Sequence, residues 1–504
     1  MMPCEDEGRT FALDPQGVYV YYALRDCRLL LNGNNGWFPD PLPRYAVRVL
    51  DALMLSDEER RRVWSAACAS DDGRSQRLVN KLERIRQGDH PVLAPEPRQQ
   101  RLPCRTAATT FHIYLAQACN QRCRYCFSQG GTFGGPPAVM SAQTSHAVLA
   151  FLIRHARAIA PARVGALLFG GEPMLASEAI RILVRGIDAH NRADPSQAIG
   201  LLLTTNGTIW DDEVFATFAA DRKRHSICVS LDGDRATHDA NRPFADGSRG
   251  SAYDVSLATI RRLLDMGCFV SATCVVPYPF DMVGAARMLH GIGLPCFEIK
   301  QPIFHVYGEK GLGDVFRRDF QTWRTEYLRY SDFFLDHLED LLPTRIVDRI
   351  NKAGECENAL AGAEGVTLAC RVGDDTIGVT ADGTLLPCES FVGQPQYALG
   401  DVRQGFDADR FAAFEQWILA EGQHRVDHPR CRGCFAKRFC GGGCYAVSLD
   451  KTGRLEPQDE MACRFVREQV KIDLYFVSEL RRRHPSFYAK VVRPAASSAA
   501  GADG

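Results

Sequence analysis

Three cysteines, Cys119, Cys123 and Cys126, stand in the stretch CNQRCRYC, separated by three residues and then by two. Thiols this close can bridge, bind one metal ion or bind a metal cluster. Bridging suits an oxidising compartment, and the chain opens on MMPCEDEGRTFALD, which is acidic and lacks the basic segment and apolar run that direct secretion. A zinc ion wants four tetrahedral ligands, commonly as two separated pairs, and this triplet has no fourth partner nearby. Three thiolates on one loop can instead each hold one iron of a four-iron cluster and leave the fourth iron open to a ligand that is not protein. Spacing alone leaves that reading level with a chance grouping in a cysteine-rich chain.

A second constellation lies toward the C-terminus. Cys370 is followed by Gly383 and Cys388, then by Cys431, Cys434, Cys440 and Cys444, with Cys463 beyond. So many positioned sulfurs exceed chance, and Cx2C is also a habitual zinc spacing, so zinc and iron–sulfur ligation both stay open. The CGGGC run from Cys440 to Cys444 supplies glycines where backbone must come close to a bound group and aim N–H groups at sulfur. Cys228, Cys268, Cys274 and Cys296 sit in apolar runs and read as small buried hydrophobes.

What must position the triplet is a series of apolar or β-branched runs between Thr109 and Pro302: TFHIYL, RVGALLFGG, GLLLTTNG, HSICVSLDG, CFVSATCVV and CFEIKQP, separated by helical stretches. This alternation predicts parallel βα units in an open or closed barrel, an α/β fold whose chemistry collects at the carboxyl ends of the strands. The polar and glycine-rich segments lie at those ends. After the second run, Gly170 and Gly171 permit close backbone approach and Glu172, before Pro173, offers an acceptor for a cationic amine; a tight turn with a capping acid explains the same residues. Thr205 and Asn206 in TTNGT are equally turn and cap residues. Ser230 and Asp232 share one side of a strand, and Arg242 follows in HDANRP as a carboxylate clamp or a surface ion-pair partner. Glu298 and Lys300 share one face of the sixth run, toward the barrel interior or a helix.

Residues 1–95 stand apart, with two strands predicted in GVYVYYALRDCRLLLN and helical periodicity after them. The proline-rich HPVLAPEPRQQRLP reads as a linker, which sets the barrel at 96–310. Residues 311–350 read as an amphipathic bridge whose aromatics are core, 351–480 as the cysteine-rich module, and 481–504 as a disordered tail. Lys plus Arg (60) nearly cancel Asp plus Glu (61), which leaves no basic field for a nucleic-acid partner. No uninterrupted apolar stretch of about 18 residues occurs, so the expectation is a cytoplasmic chain with no membrane partner.

The triplet, with Tyr125 just before its last cysteine and GGEP at the second strand end, resembles the radical S-adenosylmethionine (SAM) superfamily across the barrel. That resemblance implies a [4Fe-4S] cluster on Cys119, Cys123 and Cys126, whose open iron is chelated by the amino and carboxylate groups of SAM. One electron from the reduced cluster then breaks a carbon–sulfur bond, giving methionine and a 5'-deoxyadenosyl radical that takes hydrogen from substrate. It also implies SAM contacts from Tyr125, Gly170, Gly171, Glu172, Pro173, Thr205, Asn206, Ser230, Asp232 and Arg242, and an external one-electron reductant of flavodoxin or ferredoxin type.

The second constellation is similar to the SPASM extension of radical SAM peptide-modifying enzymes, which carries two auxiliary [4Fe-4S] clusters. By that resemblance Cys370, Cys388 and Cys444 serve the first, with either Cys356 as fourth ligand or an iron open to a substrate thiolate; Cys431, Cys434, Cys440 and Cys463 serve the second. The N-terminal module resembles a winged-helix element that binds leader segments of ribosomally made peptides, an unrelated capping domain being the alternative. SQGGTFGGPPAVMS, after the triplet, is similar to segments in the maturases of SCIFF peptides and of quinohemoprotein amine dehydrogenase. The expected fold is thus α/β, a partial (β/α)6 TIM-like barrel with an N-terminal α+β winged-helix-like domain and a C-terminal cysteine-rich SPASM domain.

The expected function is thioether formation between a cysteine sulfur and a carbon within a ribosomally made peptide or small protein subunit. Carbon–carbon crosslinking and oxidation of a sulfatase Ser or Cys to formylglycine are the neighbouring alternatives, and the long N-terminal module counts against the latter. A non-catalytic iron–sulfur or zinc electron-transfer scaffold is the alternative of another class.

Overall fold

The computed structural model describes residues 9–12, 19–24, 27–32, 44–70, 73–87, 108–160, 163–248, 250–276, 280–300, 319–341, 344–346, 349–351, 372–373, 376–432, 434–456 and 460–491. Near the N-terminus β1 (Arg9–Ala12), β2 (Tyr19–Leu24) and β3 (Cys27–Asn32) form an antiparallel sheet in that order. The two strands expected from sequence are β2 and β3; β1 is an addition, too short to carry a pattern of its own. Helices Arg44–Asp51, Asp57–Cys68 and Arg74–Arg86 follow and close a separate small core around Val49, Leu53, Trp64, Val79 and Leu82. Ser56 and Glu59 form a capping box that fixes where the second of these helices begins.

The central sheet holds β4 (Thr110–Gln117), β5 (Ala138–Val139), β6 (Val164–Gly170), β7 (Ile199–Thr205), β8 (His225–Ser230), β9 (Val270–Val275) and β10 (Cys296–Lys300). Six of these run parallel in the order β10-β9-β8-β7-β6-β4, while β5 pairs antiparallel with β4. No pairing joins β10 back to β4 among the described residues, so the barrel is open, the one of the two arrangements allowed by the six runs that the resemblance implies. Strict alternation of burial along β6 and β7 places Ala166, Leu168, Leu201 and Leu203 against the helix layer. On β4, Phe111 meets Phe151 of helix Ala142–Ile159 edge-on at 5.5 Å, so His112 and Tyr114 turn to the barrel interior. Ser141, Asp211, Asp234 and Asp281 each cap the helix that follows a strand, and Ser251 caps the helix after Arg235–Asn241, which fixes where each helix begins.

The cysteine-rich region does not stand apart as the boundary at 350 suggests. β11 (Arg345–Ile346) extends the sheet beyond β10, and β12 (Thr376–Val379) adds in parallel to β4, pairing Thr376 with Thr110. β13 (Thr384–Leu386), β14 (Gly400–Asp401) and β15 (Gly405–Phe406) continue antiparallel from there. The module is therefore built onto the first barrel strand, the one that leads into the cysteine loop. Helix Phe320–Asp336 is core, as its aromatic stripe predicts: it packs on helix Glu460–Arg483 through Trp323 and Phe465 (4.2 Å) and through Phe334 and Phe476 (5.4 Å). The tail expected to be disordered from 481 is corrected in part, since Arg481–Arg483 complete that helix and Pro485–Val491 form another; 492–504 lie outside the described residues.

Candidate active site at the barrel mouth

The chain leaves β4 and enters a loop whose backbone is pinned to the turn that carries Arg242. Arg122 N–H donates to Pro243 O (2.8 Å), Arg124 N–H to Asn241 O (2.9 Å), and Ala245 N–H to Asn120 O (2.8 Å). Gln129 and Phe133 hold φ of 51° and 53°, a left-handed conformation that costs energy for side-chain-bearing residues and persists only where the surroundings impose it. The loop thus gives its sulfurs fixed places. Gln121 N–H donates to Cys119 Sγ (3.4 Å), Gly130 N–H to Cys126 Sγ (3.3 Å), and Arg242 Nη1 points at Cys123 Sγ (3.9 Å). Each of the three sulfurs has an N–H donor, the environment in which a thiolate ligand is stabilised.

Burial pushes the Cys119 thiol up to about 11 and the Cys123 thiol up to about 12, and each is raised further by a neighbouring cysteine. Without a cation between them these groups stay protonated; a bound iron cluster would supply the compensating charge. Gln121 is 1 % exposed, and its Nε2 has no hydrogen-bond partner while its Oε1 lies 3.9 Å from Cys123 Sγ. A leftover buried amide donor beside three sulfurs is what an inorganic sulfide accepts from, so the donor set fits a [4Fe-4S] group. Among the described residues no three His, Cys, Asp or Glu side chains converge on a single metal ion.

The GGEP turn is fitted closely against the cysteine loop. Gly170 has φ of 141°, and a Cβ there would sit 2.4 Å from Ala116 O; one on Gly171 would sit 2.2 Å from Ala118 O, and one on Gly131 would sit 2.6 Å from Gly171 Cα. The glycines are required because the protein's own backbone approaches them. Glu172, read from the sequence as an acceptor for an amine or as the capping acid of a tight turn, is fully buried and engaged: Oε1 accepts from Met174 N–H (3.0 Å) and Thr205 Oγ1 (2.7 Å), and Oε2 from Asn206 N–H (2.7 Å). It is the capping acid of the 3-10 turn Pro173–Ala176 and ties the β6 and β7 ends together. Thr205, whose hydroxyl is spent on Glu172, is likewise a positioning residue. Asn206 reaches the cysteine loop, donating from Nδ2 to Asn120 Oδ1 (2.8 Å) with Cys119 Sγ 4.0 Å away. Ser230 ends β8, half-buried, beside Thr273 in the sheet register.

Of the expectations for Arg242, a carboxylate or substrate clamp or a surface ion-pair partner, the surface placement is corrected: the carboxylate it grips is the protein's own Asp232. Arg242 is 7 % exposed, and its Nε and Nη2 donate to Asp232 at 2.8 and 3.1 Å, so the fork is already filled. Tyr125 also donates to Asp232, and the Arg242 guanidinium lies 5.4 Å from the Tyr125 ring centre.

The second group of cysteines divides in two. Cys431, Cys434, Cys440 and Cys463 line one cavity together with Arg430 and Arg467. Gly441, Gly442 and Gly443 all have positive φ, and the Gly442 N–H bonds to Cys440; the glycine run does there what its composition suggests. Cys444 stands immediately before helix Tyr445–Thr452, which packs on the turn Glu389–Phe391 just after Cys388. Cys356 and Cys370 lie outside the described residues. Sequence reasoning missed one pair, His112 with Glu389, whose Nδ1 and Oε2 lie 3.1 Å apart; Glu298 and Lys300, which the sequence places on one face, pair with each other at 2.9 Å, and Lys300 also acts on Glu389. A polar residue on a barrel strand was the only available signal.

Residues 113–283 match the Radical SAM superfamily. No curated protein matches the chain by sequence. Among solved structures, native anSMEcpe with bound AdoMet is 18% identical with a TM-score of 0.60, covering 74% of this chain and 99% of that one. Native anSMEcpe with bound AdoMet and Cp18Cys peptide is 17% identical with a TM-score of 0.58, covering 76% and 99%. Streptococcus suis SuiB bound to precursor peptide SuiA is 14% identical with a TM-score of 0.46, covering 91% and 98%. The likeness to anSMEcpe establishes the fold.

Proposed function

Residues 113–283 are a radical SAM domain, and from that premise we propose that the chain is an enzyme that modifies a cysteine-containing peptide or small protein, joining a cysteine sulfur to a carbon. The observation that carries the proposal is the placement of three thiols, each with its own N–H donor, at the carboxyl end of β4 against the GGEP turn. In this reading Cys119, Cys123 and Cys126 hold the SAM-binding cluster, and Tyr125, the Gly170–Pro173 backbone, Asn206 and Ser230 border SAM. When bound, cluster and SAM supply one-electron cleavage of a carbon–sulfur bond and a radical able to take hydrogen from carbon.

The chain's own residues prepare that site. The Gln121 and Gly130 amides and Arg242 stabilise anionic sulfur, and burial keeps water away. Glu172 and Thr205 hold the second and third strand ends at fixed spacing, acting on SAM through Asn206 and the GGEP backbone. Cys431, Cys434, Cys440 and Cys463 would hold one auxiliary cluster; Cys388 and Cys444, with Cys370 and either Cys356 or a substrate thiolate, would hold the other, near the barrel interior that Glu389 enters. The electron comes from an external flavodoxin or ferredoxin. A peptide substrate is supported by the shared fold with peptide-bound anSMEcpe, and the N-terminal sheet offers strand edges on which a leader segment can add.

The test is product analysis. Anaerobically reconstituted protein with dithionite and SAM releases 5'-deoxyadenosine, and a short cysteine-rich peptide encoded beside its gene loses two hydrogens together with one alkylatable thiol. A crosslinked product that keeps all its thiols indicates carbon–carbon bonding, an aldehyde that traps hydrazide indicates formylglycine, and absence of SAM cleavage indicates a scaffold.

A further inference from the structure

We propose that Asp232 and Arg242 form a fixed dipole whose positive end, at Cys123, raises the reduction potential of the cluster, with Tyr125 holding the dipole in place. The inference rests on Cys119, Cys123 and Cys126 being the ligands.

The geometry is over-determined. Asp232 is fully buried and accepts from Arg242 Nε and Nη2, from Tyr125 Oη and, at 3.0 Å, from Val275 N–H. Its own N–H donates to His238 Nδ1 (3.0 Å), and the Arg242 N–H returns to His238 O (2.8 Å). Carboxylate and guanidinium are thus locked in one orientation. The donor left to Arg242 outside the fork is Nη1, and it faces Cys123 Sγ at 3.9 Å. A pair that served only to staple two segments would not need its remaining donor on a sulfur. Here the cation stands next to the ligand and the anion stands behind it.

The sign of the effect follows. Reduction adds one electron, taken from the external reductant, to a group beside a cation in a water-poor site, so the nearer positive charge favours the reduced form more than the farther carboxylate disfavours it. Removing Arg242 makes the cluster harder to reduce. Removing the charge of Asp232 leaves the guanidinium uncompensated and makes the cluster easier to reduce.

The experiment is a potentiometric titration of the full reconstituted chain, followed by electron paramagnetic resonance on the signal that changes when SAM is added. Arg242→Gln is expected to shift the midpoint to lower potential and Asp232→Asn to higher potential, with Arg242→Lys, which keeps the charge, lying closer to wild type than Arg242→Gln. If Arg242→Gln takes up less iron than wild type, Asp232→Asn and Arg242→Lys carry the same comparison. Opposite shifts are not produced by loosened packing. Midpoints equal to wild type in a SAM-cleaving enzyme, or shifts of the same sign, overturn the inference while leaving the proposed function standing; a wild-type signal indifferent to SAM overturns both.

Discussion

Cys123 owes its character to neighbours drawn from three parts of the chain: its own loop, the end of β8 and the turn after helix Arg235–Asn241. We expect Cys119→Ala, Cys123→Ala and Cys126→Ala each to bring 5'-deoxyadenosine release down to the rate without enzyme, measured by chromatography of SAM-cleavage products. Glu172 makes a second residue-scale case. Glu172→Ala strands the Met174 and Asn206 amides and the Thr205 hydroxyl in a fully buried place, at a cost of about 1–3 kcal/mol each; thermal melts of the full chain should show a larger loss than for Glu172→Gln. His238 gives a pH dependence. It is fully buried, and that burial lowers its pKa from 6.5 to about 4, so the unfolded chain binds the extra proton first as pH falls. Its contribution is therefore complete above pH 6.5 and is lost on the way to pH 4, about 2 kcal/mol between pH 7 and 5. Denaturant titrations at the two pH values should show a shallower fall for His238→Asn. The cysteine spacing made the chemistry of these residues legible. The partners of Glu172 and Arg242 were not, because a carboxylate and a guanidinium that meet only in the fold leave no periodic trace.

Among the elements, the six barrel strands could be read because each is an apolar run long enough to show its period and ends in the polar segment that the barrel mouth uses. Strands of two residues, such as β11, β14 and β15, have no period to read. The pairing of β12 with β4 joins Thr376 to Thr110, and a parallel neighbour so distant in sequence cannot be found from local pattern. The close contact between the cysteine loop and the GGEP turn yields a prediction at this scale. Gly131→Ala adds a Cβ 2.6 Å from Gly171 Cα at φ of 95°, whereas Gly267→Ala at φ of 76° meets nothing within 4 Å. We expect Gly267→Ala to cost about 1 kcal/mol through backbone strain alone. Gly131→Ala should cost several times as much in thermal melts and also diminish the SAM-responsive cluster signal, since it forces the two segments apart.

For the whole molecule, one sheet carries the barrel and the start of the cysteine-rich module, while the N-terminal helices keep their own core. Within the described residues no helix is long and apolar enough to cross a membrane. Deleting residues 1–95 should abolish binding of the peptide substrate, read by fluorescence anisotropy, while SAM cleavage stays within about a factor of ten of the full chain, a change of about 1.4 kcal/mol in barrier. The three proposed clusters would require about twelve irons with matching sulfide per chain, and Cys440→Ala should lower that count by about four. The measurement that bears most directly on the account is electron paramagnetic resonance of the dithionite-reduced chain before and after SAM. We expect a signal that SAM reshapes and that vanishes in Cys119→Ala, Cys123→Ala and Cys126→Ala. A spectrum that SAM leaves unchanged, or one that survives loss of those cysteines, would contradict it.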